Sequence, residues 1–198
     1  MQPKPPPNPG RRKFLIGATS VVGAVGVAGA AIPFIGSWNP SAKAEAAGAP
    51  AIADISKLAP GEMMIVEWRG VPIYIVKHSE ESLNQIDKNL ERLADPDSAT
   101  EQQPDYAKNK YRSRKKEISV LTAVCTHLAC APKFYPQLGT TDFDSNWQGG
   151  FFCPCHGSKF DLAGRVYSGV PAPDNLPVPP HYYKTDGLLV IGEDGETA

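Results

Sequence analysis

Apolar and polar positions divide this chain into stretches of sharply different kind. From Phe14 to Trp38 no side chain is charged, whereas residues 1–13 hold Lys4, Arg11, Arg12 and Lys13 and no acid. Phe14 to Gly36 is 23 residues, roughly 35 Å of helix at about 1.5 Å per residue, enough to cross a hydrocarbon core about 30 Å thick. One transmembrane helix is therefore predicted over 14–38. Residues 39–51 offer no large apolar side chain to bury, and a flexible hinge is placed over 39–52. Its alanines allow transient helix that Gly48 and the prolines interrupt. Met63 to Trp68, then Arg69-Gly70, then Val71 to Val76 read as a β-hairpin. Leu83, Ile86, Leu90 and Leu93 recur at helical spacing and predict an amphipathic helix near 80–94.

Around that helix, residues 77–117 carry nine Lys/Arg and nine Asp/Glu among 41 and read as a solvated excursion. Strand character returns from Glu117 to Val124. Residues 118–172 then hold only six charged side chains in 55. Tyr182 to Thr185, Asp186-Gly187 and Leu188 to Ile191 predict a closing hairpin with a strong Asp-Gly turn.

The net charge of −1 gives no reason to expect a nucleic-acid partner. Twenty prolines and 18 glycines fit a loop-rich, strand-rich head. The basic cluster before the span, against the lone Lys43 soon after it, predicts a cytoplasmic N-terminus and a head beyond the membrane. Arg11-Arg12-Lys13-Phe14-Leu15 resembles a twin-arginine export signal, with Gly10 and Ile16 departing from the usual pattern. Ala42-Lys43-Ala44 offers a peptidase site, but the uncharged span is longer than an ordinary signal core, so an uncleaved anchor is expected. Gly26 and Ala30, and Ala24 and Ala28, form small-xxx-small pairs suited to helix packing in lipid.

All four cysteines and two of the four histidines lie in two short boxes, Cys125-Thr126-His127-Leu128-Ala129-Cys130 and Cys153-Pro154-Cys155-His156-Gly157-Ser158. Two thiolates and two imidazoles make a metal site. A closed structural zinc site is one reading, although zinc modules usually pair Cys with Cys and His with His, and zinc leaves Cys130 and Cys155 without a role. Two ordinary disulfides are another, and they leave His127 and His156 unexplained. His78 and His181 lie outside the boxes and read as structural or surface residues.

The two boxes resemble those of Rieske iron–sulfur proteins, most closely the Rieske subunit of the cytochrome bc complex. The anchor, the Ala-rich hinge, the Trp-Arg-Gly turn and the proline-rich 170–173 loop extend the resemblance over most of the chain. It implies an all-β, Rieske-type antiparallel sandwich in three sheets, plus the one N-terminal transmembrane helix. A base would come from about 53–121 and 174–198 of a 53–198 head, with a cluster-binding subdomain at about 122–173. It also implies one [2Fe–2S] cluster, with Cys125 and Cys153 on one iron and His127 and His156 on the other, and a disulfide between Cys130 and Cys155. Replacing two thiolates by neutral imidazoles raises the potential.

By the same resemblance, His156 contacts quinol and accepts its proton and electron, although residue types alone do not separate it from His127. Ser158 matches a serine that hydrogen-bonds the cluster. Phe160 stands where high-potential relatives have Tyr, which predicts a lower potential here. Ala129 stands where Gly is usual, and slight crowding of the first loop is expected. Leu128, Val170 and Pro171 would form an apolar docking collar. The implied partners are a cytochrome b subunit, a c-type cytochrome subunit, quinol and membrane lipid, in a homodimeric complex. The implied location is a bacterial inner membrane, with the head periplasmic. The alternative weighed is the small subunit of a periplasmic molybdenum oxidase of the arsenite oxidase type. The anchor and the proline loop favour the first reading. A cytosolic ring-hydroxylating oxygenase fits less well, because that class lacks an anchor and generally lacks the extra cysteine pair.

Overall fold

The computed structural model describes residues 8–195 of the 198-residue chain. Lys4 with the rest of the first seven residues, and the last three residues of the head, lie outside the described residues. The chain forms two compact units, Met1–Ala46 and Ala47–Ala198.

In the first unit α1 runs over Pro9–Gly36. It starts earlier than the apolar run because Asn8 caps it: the Asn8 side chain accepts from the N–H groups of Gly10 and Arg11, and Pro9 occupies the first turn, where its missing N–H costs nothing. Arg11, Arg12 and Lys13 are therefore helical. No residue of α1 is buried, and the helix is long and apolar enough to cross a membrane. A short helix α2, Ala42–Gly48, lies in the predicted hinge; its first turn is capped by Ser41, whose Oγ accepts from Ala44 N–H.

The second unit contains three sheets of three strands each, in the orders β1-β9-β8, β2-β3-β4 and β5-β6-β7. All the pairings are antiparallel. Strand β1 is Ala51–Asp54. It pairs Ala51 with Ile191 and Ile52 with Val190, so the last two residues assigned to the hinge belong to a sheet. The first predicted hairpin is β2, Met63–Trp68, and β3, Val71–Lys77. Arg69 and Gly70 both have positive φ, 54° and 74°, as a tight hairpin turn with right-handed twist requires. Strand β4 is Ile118–Thr122, β5 Lys133–Gly139, β6 Trp147–Phe152 and β7 Lys159–Phe160. The closing hairpin is β8, His181–Thr185, and β9, Leu188–Ile191.

Strand β3 is buried on both faces. Ile73 and Ile75 join Ile118, Val120, Leu189 and Ile191 in the core of the base. Tyr74 and Val76 point the other way, into a core shared with Leu121, Cys125, Phe151, Cys153 and Phe160. Period-two alternation thus sends successive side chains of one strand to two different cores.

Two expectations for residues 77–117 are corrected. The helix stops early: α3 is Glu80–Gln85, followed by a single 3₁₀ turn at Leu90–Arg92. The backbone beyond Gln85 is claimed from elsewhere. Ile86 O accepts from Arg165 Nη2 at 2.6 Å, Ala94 N–H donates to Val166 O, and Arg92 O accepts from Ser168 N–H. Nor is the excursion uniformly solvated, since Asn89, Ser98, Ala107 and Arg112 are buried. Arg112 is fully enclosed, donating to Ala163 O at 3.1 Å and to Gln103 Oε1 at 3.0 Å.

Candidate metal centre

The two boxes fold into the same knuckle. In the first, Cys125 N–H donates to Cys130 O at 2.8 Å and Ala129 N–H to Cys125 O at 3.0 Å. In the second, Cys153 N–H donates to Ser158 O at 2.8 Å and Gly157 N–H to Cys153 O at 3.0 Å. Each loop is closed by a bond from its first N–H to the carbonyl five residues on, and by a return bond from the fifth residue. That fifth residue is left-handed in both, Ala129 at φ 63° and Gly157 at φ 78°. Glycine adopts this conformation freely, whereas a side chain makes it costly. The expectation of crowding at Ala129 is corrected accordingly: the cost lies in its backbone dihedral, and the side chain is exposed.

Cys130 and Cys155 are joined in a disulfide that ties one knuckle to the other. Cys125 and Cys153 are free and buried, each 2% exposed. Burial pushes the Cys153 thiol up, opposed in part by the Cys155 N–H, and the neighbouring Cys125 raises it further. A buried thiol raised in this way ionises more readily with a cation beside it. The His127 and His156 rings meet edge to face, with centroids 4.8 Å apart; His127 is half-buried and His156 exposed. The sulfurs of Cys130, Cys153 and Cys155 also lie within 4.8 Å of one another. Two of those three are spent in the disulfide and have no thiolate to offer. That leaves, among the box residues able to donate to a metal group, Cys125 and Cys153, both buried, with the half-buried His127 and the exposed His156.

A third loop closes over the knuckles. Thr126 Oγ1 donates to Asp174 O at 2.7 Å, and Ala172 N–H donates to Ser158 Oγ at 3.0 Å. Ser158 is fully buried, and so is Phe160, which sits in the core that holds Cys125 and Cys153. Of the predicted collar, Leu128 is 66% exposed, Pro171 is exposed and Val170 half-buried.

Behind the second box the chain turns through a buried ion pair. The Asp161 carboxylate accepts from Ala163 N–H at 3.0 Å, from Arg165 N–H at 2.7 Å and from Arg165 Nε at 2.7 Å. Gly150 has room for nothing larger, because a Cβ there would lie 2.1 Å from Phe160 O; the β6–β7 backbones approach that closely. Tyr74, on the base, stacks on Phe151 with centroids 5.6 Å apart.

The sequence gives no sign of the parts played by Thr126, Tyr74, Arg112 and the Asp161–Arg165 pair, nor of the hydrogen bond made by Ala172. Thr126 lies inside a box, yet its partner is a backbone carbonyl, which leaves no mark in a side-chain pattern. The two remaining histidines are structural. His78 Nε2 lies 2.7 Å from Ser119 Oγ, and His181 Nδ1 lies 2.9 Å from Pro179 O. Burial holds each well below the usual imidazole value, at about 4.

Comparison with known proteins gives matches over the same regions. Residues 100–180 match the family model of the Rieske [2Fe-2S] domain. Residues 1–41 match the model described as "Ubiquitinol-cytochrome C reductase Fe-S subunit TAT signal". The ubiquinol-cytochrome c reductase iron-sulfur subunit of Allochromatium vinosum is 54% identical over 188 residues, covering 95% of this chain and 91% of that protein. The protein of the same name from Blastochloris viridis is 44% identical over 182 residues, 92% of either chain. Among solved structures, a chain of a hyperthermophilic respiratory complex III matches 89% of this chain and 98% of its own at 25% identity, with a TM-score of 0.48.

Proposed function

The chain belongs to the family of ubiquinol–cytochrome c reductase iron-sulfur subunits, and from that premise we propose how its residues divide the work. As a member it is the Rieske subunit of the cytochrome bc1 complex, part of an oxidoreductase, with one [2Fe–2S] cluster. Cys125 and Cys153 would hold one iron as thiolates, and His127 and His156 would hold the other as neutral imidazoles. When bound, the cluster supplies a one-electron acceptor of raised potential, because two neutral imidazoles replace two thiolates. His156, the more exposed ring, meets the quinol hydroxyl and holds the released proton on its imidazole. Leu128, Val170 and Pro171 exclude water as the head docks on the cytochrome b subunit. The Ser158 hydroxyl donates toward the cluster and raises its potential.

The head then travels on the 39–50 tether to a c-type cytochrome subunit. The anchor lies in the bacterial inner membrane, packed by lipid and partner helices, with its N-terminus cytoplasmic and its head periplasmic, in a homodimeric complex. Export by the twin-arginine route suits a head that folds around its cluster before crossing.

The observation that carries this reading is the donor set: two free thiols, each 2% exposed, in the same two boxes as two imidazoles whose ring centroids are 4.8 Å apart, with the other two cysteines consumed in one disulfide. Solubilised membranes should yield the chain together with b- and c-type haem, a [2Fe–2S] EPR signal, and quinol–cytochrome c reductase activity that His156→Ala abolishes. Purification with molybdenum and without b-type haem would overturn it. Replacing the tether with a rigid Pro-rich segment should slow turnover and leave the midpoint potential unchanged.

A further inference from the structure

In Pro171-Ala172-Pro173 only Ala172 has a backbone N–H to give, since proline has none. That single donor is spent on the Ser158 hydroxyl, at 3.0 Å and across 14 residues of chain. Both partners are buried, Ala172 4% and Ser158 0% exposed. The ring of Pro171 locks its own φ, and Pro173 confines Ala172 to extended backbone. The direction of the N–H is therefore set by two rigid neighbours.

A hydroxyl has one proton and two acceptor lone pairs. With one lone pair taken by Ala172, the Ser158 proton must point away from the proline loop. Among the described residues Ser158 Oγ has no other partner. The same serine closes the second knuckle, its carbonyl accepting from Cys153 N–H at 2.8 Å. One residue thus joins the proline loop to the box that carries Cys153 and His156.

We infer that Ala172 is a positioning residue for the redox centre: its N–H, held by the flanking prolines, aims the Ser158 proton at the cluster, so that the midpoint potential depends on the conformation of the 170–173 loop. This rests on the role given to Ser158 above and adds the group that orients it. Because the same loop carries the docking collar, displacement of the loop on a partner changes the potential through this one bond.

The test is a double-mutant cycle on the full chain in its purified complex, with midpoints read by EPR-monitored titration. Ser158→Ala should lower the midpoint, and Ala172→Pro, which removes the N–H, should lower it by less. Ala172→Pro should have no effect when Ser158 is already Ala. If Ala172→Pro does not retain the EPR signal, the pair Pro171→Ala and Pro173→Ala, which keeps the N–H but frees its direction, goes through the same cycle with the same expectation. A wild-type midpoint in the loop variant, with Ser158→Ala lowered, overturns the role of Ala172 alone. So does a loop effect of equal size with and without Ser158. A Ser158→Ala midpoint equal to wild type removes both the role of Ser158 and this inference.

Discussion

Tyr74 donates its hydroxyl proton to the carbonyl oxygen of Pro132 at 2.6 Å, joining residues 58 apart in sequence. Tyr74 lies on the central strand of the base, and Pro132 follows the disulfide cysteine of the first knuckle. The bond fixes the exit of that knuckle to the scaffold. Tyr74→Phe keeps the ring on Phe151 and leaves a buried carbonyl unsatisfied, which costs about 1–3 kcal/mol. Denaturant unfolding should show that loss as a lower midpoint concentration with unchanged slope.

The left-handed fifth residue of each knuckle predicts opposite outcomes for two exchanges. Ala129→Gly removes a dihedral penalty of about 1–2 kcal/mol but frees the unfolded chain by roughly 0.5–1 kcal/mol. A net gain of up to about 1.5 kcal/mol is expected. Gly157→Ala should lose a similar amount. Thermal unfolding of the two variants should move Tm in opposite directions.

Phe160 is fully buried in the core that contains both free cysteines. A phenol there places a donor where the present side chain has none, so Phe160→Tyr should raise the midpoint potential. An unchanged or lowered midpoint in a redox titration would remove Phe160 from the potential-setting residues.

Acid should weaken the head through His78 and His181. Burial lowers each to about 4 in the folded state, against about 6.5 unfolded. The unfolded chain therefore binds protons first, and the stability tied to each neutral ring is present in full above pH 6.5. It falls as pH drops from about 6.5 to about 4, by at most about 3 kcal/mol for each histidine. His78→Gln should flatten the dependence of unfolding free energy on pH across that window.

Breaking the buried Asp161–Arg165 pair should be more damaging than any of these changes. The two side chains are 6% and 1% exposed, and removing one charge strands the other, at about 3–5 kcal/mol. Asp161→Asn should lower Tm and hasten bleaching of the visible spectrum on incubation. Lys110→Ala, in an exposed pair with Asp87, should leave both within error.

The sequence carried the site better than it carried the site's support. The two boxes could be read because each holds rare residues, cysteine and histidine, at fixed offsets from one another. Both hairpins could be read because alternation and turn chemistry agree locally, Arg69-Gly70 in one and Asp186-Gly187 in the other. The predicted 80–94 helix ends at Gln85 because its later carbonyls are taken by Arg165 and Ser168, some 80 residues on. Arg112 looked like one more solvated charge, since nothing near it announces the Ala163 carbonyl that receives it. Where a residue's partner is distant backbone, residue type alone gives no sign of it.

Strand β3 supplies Ile73 and Ile75 to one core and Tyr74 and Val76 to the other. The base cannot lose this strand and keep its own interior, and neither can the part that carries the knuckles. The head should therefore melt as a single cooperative unit, without a surviving half. Whatever the knuckles bind then protects amides as far away as the closing hairpin, so hydrogen exchange at Leu189 and Ile191 should quicken when the metal group is removed.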